Sequence, residues 1–170
     1  HRFDCCRFAG EALLRRNMAR IKKLKFEDNY IREVNVHYRT TTDERISIKA
    51  PWQVADFVRS VMTDNSREHC VALYLDASNQ IASYSIISIG GANTAPIAPR
   101  EVFQRAVLVG ALSIVLAHNH PSGGLEPSSQ DREVTERMKE AGRVMGIKIL
   151  DHVIVTDDGF RSLNEDCCGW

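Results

Sequence analysis

The stretch HNHPSGGLEPSSQD, residues 118–131, sets His118 and His120 two positions apart at the end of an apolar run. Residues two apart on an extended strand point to the same face. Both imidazoles therefore project together if the strand continues through them, and Asn119 points away. Two imidazoles held close can fill two corners of a tetrahedral zinc site. A loop containing Gly123 and Gly124 then turns through Pro127 into a helix whose first turn carries Asp131. A carboxylate near the positive end of a helix dipole stays ionised and can reach back as a third protein ligand. Water would take the fourth position, which distinguishes a catalytic zinc from a structural one. Each residue type also has ordinary structural uses at such places. The joint pattern of apolar strand, HxHP, glycine loop and SxxD at a helix start is what favours a metal.

Competing metal chemistries are excluded by residue type. A metallo-β-lactamase pattern needs an aspartate and a further histidine just beyond HxH, where this chain has PSG. An amidohydrolase barrel needs roughly 250 residues, against 170 here. Nucleobase deaminases use HxE with PCxxC, and HExxH metalloproteases need that motif on a helix; the sequence contains neither.

The elements that must position these residues are legible from periodicity. Ile114 to Ala117 is too short and too uniformly apolar for an amphipathic helix, and Pro121 would end one, so this is a buried strand. SSQDREVTERMKEAGRVMG reads as a helix with Ser128 as N-cap and a buried stripe of Val134, Met138, Ala141 and Met145. IKILDHVIV is a further strand leading to a DDG turn. Upstream, SREHCVALYLD and IASYSIISIGG should pair as a hairpin across the DASNQ turn, and a loop GGANTAPIAP leads to a helix packed through Val102, Phe103, Ala106, Val107 and Gly110. Pro51 opens a helix with Trp52, Ala55, Val58 and Met62 on one face, preceded by a short strand ISI and a half-buried strand through Val34, Val36 and Tyr38. Several strands interspersed with helices predict an α/β sandwich with a central sheet covered on at least one face.

Composition sets wider bounds. With 44% hydrophobic and 26% charged residues the chain has the makeup of a single soluble domain, and a second catalytic domain does not fit. No apolar run approaches the roughly 20 residues of a membrane helix and no signal segment is evident, so a cytoplasmic location is expected. Cys5, Cys6, Cys70, Cys167 and Cys168 lack CxxC spacing, and reduced thiols are expected. The formal charge is zero, yet residues 1–25 carry eight Arg and Lys against Asp4 and Glu11, a net +6. Residues 1–26 thus read as a basic arm or helix, with Leu14, Met18, Ile21 and Lys25 at helical spacing on a narrow apolar stripe with a basic surround. The arm could contact nucleic acid, or dock as an ordinary helix on an acidic body.

HNHPSGGLEPSSQD resembles the JAMM motif, HxHPx(6)SxxD, and the wider text PREVFQRAVLVGALSIVLAHNHPSG…PSSQD…GIKILDHVIV resembles the RadC family, a bacterial branch of the JAB/MPN superfamily. The similarity spans roughly residues 45–166, within a domain of residues 27–170. It implies a JAB/MPN-like α/β sandwich related to the cytidine deaminase fold, with a central mixed sheet flanked by helices. It also implies His118, His120 and Asp131 as zinc ligands, and Ser128 as a residue hydrogen-bonded near the site. The motif's further element is a glutamate early in the domain. Glu68, at the start of the strand EHCVAL, is the choice here, with Glu101 in PREVF as the alternative. Such a carboxylate would take a proton from the attacking water and pass it to the leaving amine. Ser128 could donate to a developing oxyanion, in competition with its N-cap role. His152, where the family often has LDH, could support a ligand histidine or line the pocket. The resemblance implies a zinc-dependent metallopeptidase or isopeptidase acting on a peptide or protein. The alternatives are a nucleic-acid-binding factor of the DNA-repair or mobile-element kind and an inert scaffold that binds a partner. RadC proteins usually carry a helix-hairpin-helix region where this chain has its short basic arm, which weakens inherited DNA binding.

Overall fold

The computed structural model describes residues 45–62, 64–90 and 97–164. The basic arm, the strand through Val34 to Tyr38, most of the GGANTAPIAP loop and the terminal cysteine pairs lie outside them.

Strand β3, Ser113–Asn119, is buried along its whole length. Strand β1, Glu68–Leu75, pairs antiparallel with one side of it, and β4, Lys148–Val155, pairs parallel with the other. A strand buried on both faces reads as the continuous apolar run SIVLA rather than an alternation. Strand β2, Ile81–Gly90, adds antiparallel to β1, and β5, Phe160–Ser162, adds antiparallel to β4. The result is a mixed sheet of order β2-β1-β3-β4-β5.

Helix α1, Pro51–Val61, covers one face by packing Val54, Ala55 and Val58 over Val71, Leu73, Val115, Ala117 and Val153. Helices α2, Pro99–Val109, and α3, Ser129–Met145, cover the other, bringing Val102, Phe103, Val134 and Met138 onto Ala72, Tyr74, Ile114 and Leu116. Each large apolar side chain so enclosed contributes about 1.5–3 kcal/mol. The protein is an α/β sandwich with helices on both faces of a mixed sheet. Among the described residues no helix is long and apolar enough to cross a membrane.

The β1–β2 hairpin forms as predicted. Asp76 Oδ1 accepts from the Ser78 and Gln80 N–H groups, and Asn79 takes the left-handed conformation at φ 55°. Residues 46–48 meet this turn through a single bridge, Ser47 to Gln80, and not as a strand.

Three predicted helix faces are rotated. Trp52 is exposed and Val54 is buried in its place, because the face of α1 on the sheet is centred on Val54, Ala55 and Val58. Val107 is exposed, and Gly110 is the left-handed C-cap of α2 and not a packing position. In α3 the buried face runs through Val134, Thr135, Met138 and Gly142, while Met145 is exposed. The chain turns back at Gly146 and Ile147 N–H donates to the Gly142 carbonyl, so Ile147 covers the end of the helix where Met145 was expected.

Candidate metal centre

Strand alternation sends Ile114, Leu116 and His118 to the face covered by α2 and α3. His118 Nε2 lies 2.9 Å from His120 Nε2, so the two imidazoles do converge. His120 has left the sheet, and its Nδ1 sits 2.7 Å from the Gly124 carbonyl oxygen. A carbonyl can only accept, so Nδ1 carries the proton and the His120 Nε2 lone pair is turned toward His118.

Asp131 reaches the pair from the first turn of α3. Its Oδ1 is 3.3 Å from His118 Nε2, and its Oδ2 is 3.8 Å from His120 Nε2. Ser128 caps the helix and fixes this carboxylate at once. Its N–H and Oγ–H donate to Asp131 Oδ2 at 2.7 and 2.6 Å, while its Oγ accepts from the Asp131 N–H at 3.1 Å. Partial burial raises the Asp131 carboxyl, but the neighbouring His118 and the hydrogen bonds from Ser128 outweigh it and hold the group well below the usual carboxylate range.

Glu68 stands at the start of β1 with Oε1 3.8 Å from His120 Nε2, and it forms with His118 and His120 a group of three metal-capable side chains. Glu101 lies in the first turn of α2, exposed, and is not part of that group. Asn119 explains how Glu68 is placed. Pointing away from the histidines and buried, its Oδ1 accepts from His69 N–H at 2.6 Å and its Nδ2 donates to the Arg67 carbonyl at 2.9 Å. The residue between the two histidines therefore grips the backbone on both sides of the glutamate.

Behind His118, its Nδ1 lies 2.8 Å from His152 Nε2, and His152 Nδ1 lies 2.6 Å from Thr135 Oγ1. Burial, then the neighbouring His118, lowers His152 to about 3, so the ring is neutral at ordinary pH. Cys70 is the cross-strand partner of His118. Burial, then Asp131 and Glu68, pushes its thiol up to about 12, so it remains a protonated neighbour. The preceding Asp151 points elsewhere. Its carboxylate accepts from Ser162 Oγ, His152 N–H and Asn164 N–H, tying β4 to the segment after it.

The donor set suits zinc. A tetrahedral ion with ligands about 2.0–2.1 Å away separates its donor atoms by about 3.3 Å. The distances of 2.9, 3.3 and 3.8 Å among His118, His120 and Asp131 bracket that value. Two imidazole nitrogens and a carboxylate form a ligand set used by catalytic zinc sites.

Asn119, Thr135 and the Gly124 carbonyl were not singled out by the sequence. Thr135 had a signal, since it follows Asp131 by four residues on the same helical face. Asn119 had none, because its partners lie about fifty residues away on another strand.

Residues 48–169 match the family model described as RadC-like JAB domain. The chain is 44% identical over 127 residues to a UPF0758 protein of Bacillus mycoides (strain KBAB4), covering 75% of this chain and 56% of that protein. It is 43% identical over 127 residues to one from Geobacillus sp. (strain WCH70), with the same coverage. A third, from Carboxydothermus hydrogenoformans, is 35% identical over 130 residues, covering 76% of this chain and 58% of the relative. The chain thus spans little more than half the length of these relatives.

Proposed function

The chain belongs to the family of RadC-like JAB domains, and from that premise we propose that it is a zinc-dependent hydrolase of amide or isopeptide bonds in a peptide or protein. The observation that carries the proposal is the convergence of His118 Nε2, His120 Nε2 and the Asp131 carboxylate, with Glu68 beside them.

His118, His120 and Asp131 would hold the ion. Zinc bound there supplies a Lewis acid for a substrate carbonyl and brings the pKa of water toward neutrality. Glu68 acts as general base. It takes a proton from the attacking water and returns it to the leaving amine. Its side chain is 43% exposed, so it meets solvent and substrate while Asn119 holds its backbone. Ser128 positions Asp131, since its hydroxyl proton is already committed to that carboxylate and is not free for an oxyanion. A cavity of about 320 Å³ beside His120, bordered by Met62, Pro121, Leu125 and Asp158, would take one flank of the peptide.

Zinc analysis of the purified protein tests the proposal, alongside turnover on a panel of fluorogenic peptides and lysine-linked isopeptides. Wild type should hold one zinc, the His118→Ala/His120→Ala double variant none, and Glu68→Gln should keep zinc and lose turnover. A wild-type protein without zinc overturns the reading. Unchanged turnover in Glu68→Gln assigns the base elsewhere.

The charge imbalance favours a second reading, in which residues 1–25 bind nucleic acid. Affinity for duplex DNA should then fall steeply with salt and drop when these residues are removed. Equal affinity after removal rejects it.

A further inference from the structure

Three hydrogen bonds in series lead from the backbone of α3 to the back of His118, and their direction is fixed by the end where only one assignment is chemically open. The Asp131 backbone carbonyl can accept but not donate, so Thr135 Oγ1, 2.6 Å away and one turn later, gives its proton to it. With that proton committed, Thr135 Oγ1 accepts from the next group, His152 Nδ1 at 2.6 Å. With its proton on Nδ1 and its ring 2% exposed, His152 presents its other nitrogen, Nε2, as an acceptor facing His118 Nδ1 at 2.8 Å. His118 Nδ1 is then the donor, and its Nε2 is left bare toward His120 and Asp131.

From this sequence of contacts we infer that Thr135 and His152 are positioning residues that hold His118 in its Nδ1–H tautomer, so that Nε2 is the atom offered to the metal. The inference rests on the zinc reading above and deepens it. The two histidines reach the same state by different routes. His120 is set directly by the Gly124 carbonyl, whereas His118 is set through two intervening side chains anchored on Asp131. Asp131 therefore serves the site twice, with its carboxylate toward the histidine nitrogens and its carbonyl toward the relay that orients one of them. The arrangement also accounts for a hydroxyl on the buried face of α3, where Thr135 is 5% exposed among apolar neighbours. It likewise accounts for an imidazole on the buried strand β4, where His152 is 2% exposed.

The experiment is imidazole ¹⁵N NMR of the full chain, combined with zinc titration against a competing chelator. His152 should appear as the Nδ1–H tautomer in wild type. Thr135→Val keeps the shape of the side chain but removes the hydroxyl, and its zinc affinity should fall by roughly 10–100-fold, the usual cost of losing a group that orients a ligand histidine. Thr135→Ser should restore the affinity, which a purely steric role would not require. An Nε2–H tautomer at His152, or wild-type zinc affinity in Thr135→Val, overturns the inference. The tautomer readout needs neither substrate nor turnover, so failure of the hydrolase reading and failure of this one give different results.

Discussion

Asn119 holds Glu68 by the backbone on either side, accepting from His69 N–H and donating to the Arg67 carbonyl. The strand that presents the histidines thus also sets the position of Glu68. Asn119→Ala should destabilise the fold by roughly 1–3 kcal/mol for each buried group left unpaired. It should also lower turnover while zinc remains bound. Urea denaturation and metal analysis on one preparation check both; a variant as stable as wild type would show that the two bonds are dispensable.

Asp131→Asn separates the cap from the metal. An amide oxygen can still accept from Ser128, so α3 should keep its N-terminus and the protein its thermal stability. Zinc affinity, however, should drop by more than the roughly 10–100-fold that a lost supporting bond costs. Chelator competition measures it. Unchanged affinity would leave Asp131 with the cap alone.

His152 makes a pH prediction with a definite sign. Its pKa falls from an ordinary 6.5 to about 3 in the fold, through burial first and His118 second. Between those values the unfolded chain binds the extra proton and the native state does not, so stability rises with pH across the window and is lost as pH falls below about 6.5. In zinc-free protein, His152→Gln should show a shallower loss of urea stability between neutral pH and pH 4 than wild type. Parallel curves would contradict the assignment.

Gly142→Ala should destabilise, although alanine is the better helix former by about 1 kcal/mol. A Cβ there would run into the Ile147 carbonyl oxygen, a backbone atom that cannot step aside cheaply. A net loss of about 1–3 kcal/mol is expected, within the range for overpacking. Met145→Lys, at an exposed position of the same helix, should stay within about 0.5 kcal/mol of wild type. Thermal melts of the pair compare the two directly.

The sheet's central strand, the hairpin at Asp76 and the Ser128 cap were readable because each depends on neighbours a few residues away. The convergence of His118, His120 and Asp131 was readable for the same reason, since one strand, one loop and one helical turn bring them together. The helix faces at Trp52, Val107 and Met145 were not, because burial at those positions depends on where each helix ends or how it is rotated over the sheet. Nor was the direction of the polar contacts. Asn119 has meaning only once β1 and β3 lie side by side, whereas His152, marked by the family resemblance as a support for a ligand histidine, does stand against His118.

The interval from Asp131 to Thr135 is one turn of helix, whereas the path from His120 to Ser128 is a surface loop. These two stretches should differ in their tolerance of length change. An extra residue near Glu126 changes neither the cap nor the spacing of Asp131 to Thr135, since Ser128, Asp131 and Thr135 belong to the helix that follows or to its cap. A residue inserted between Asp131 and Thr135 would rotate the hydroxyl off the sheet by about 100°. The carboxylate and the tautomer control would then no longer face the same histidine.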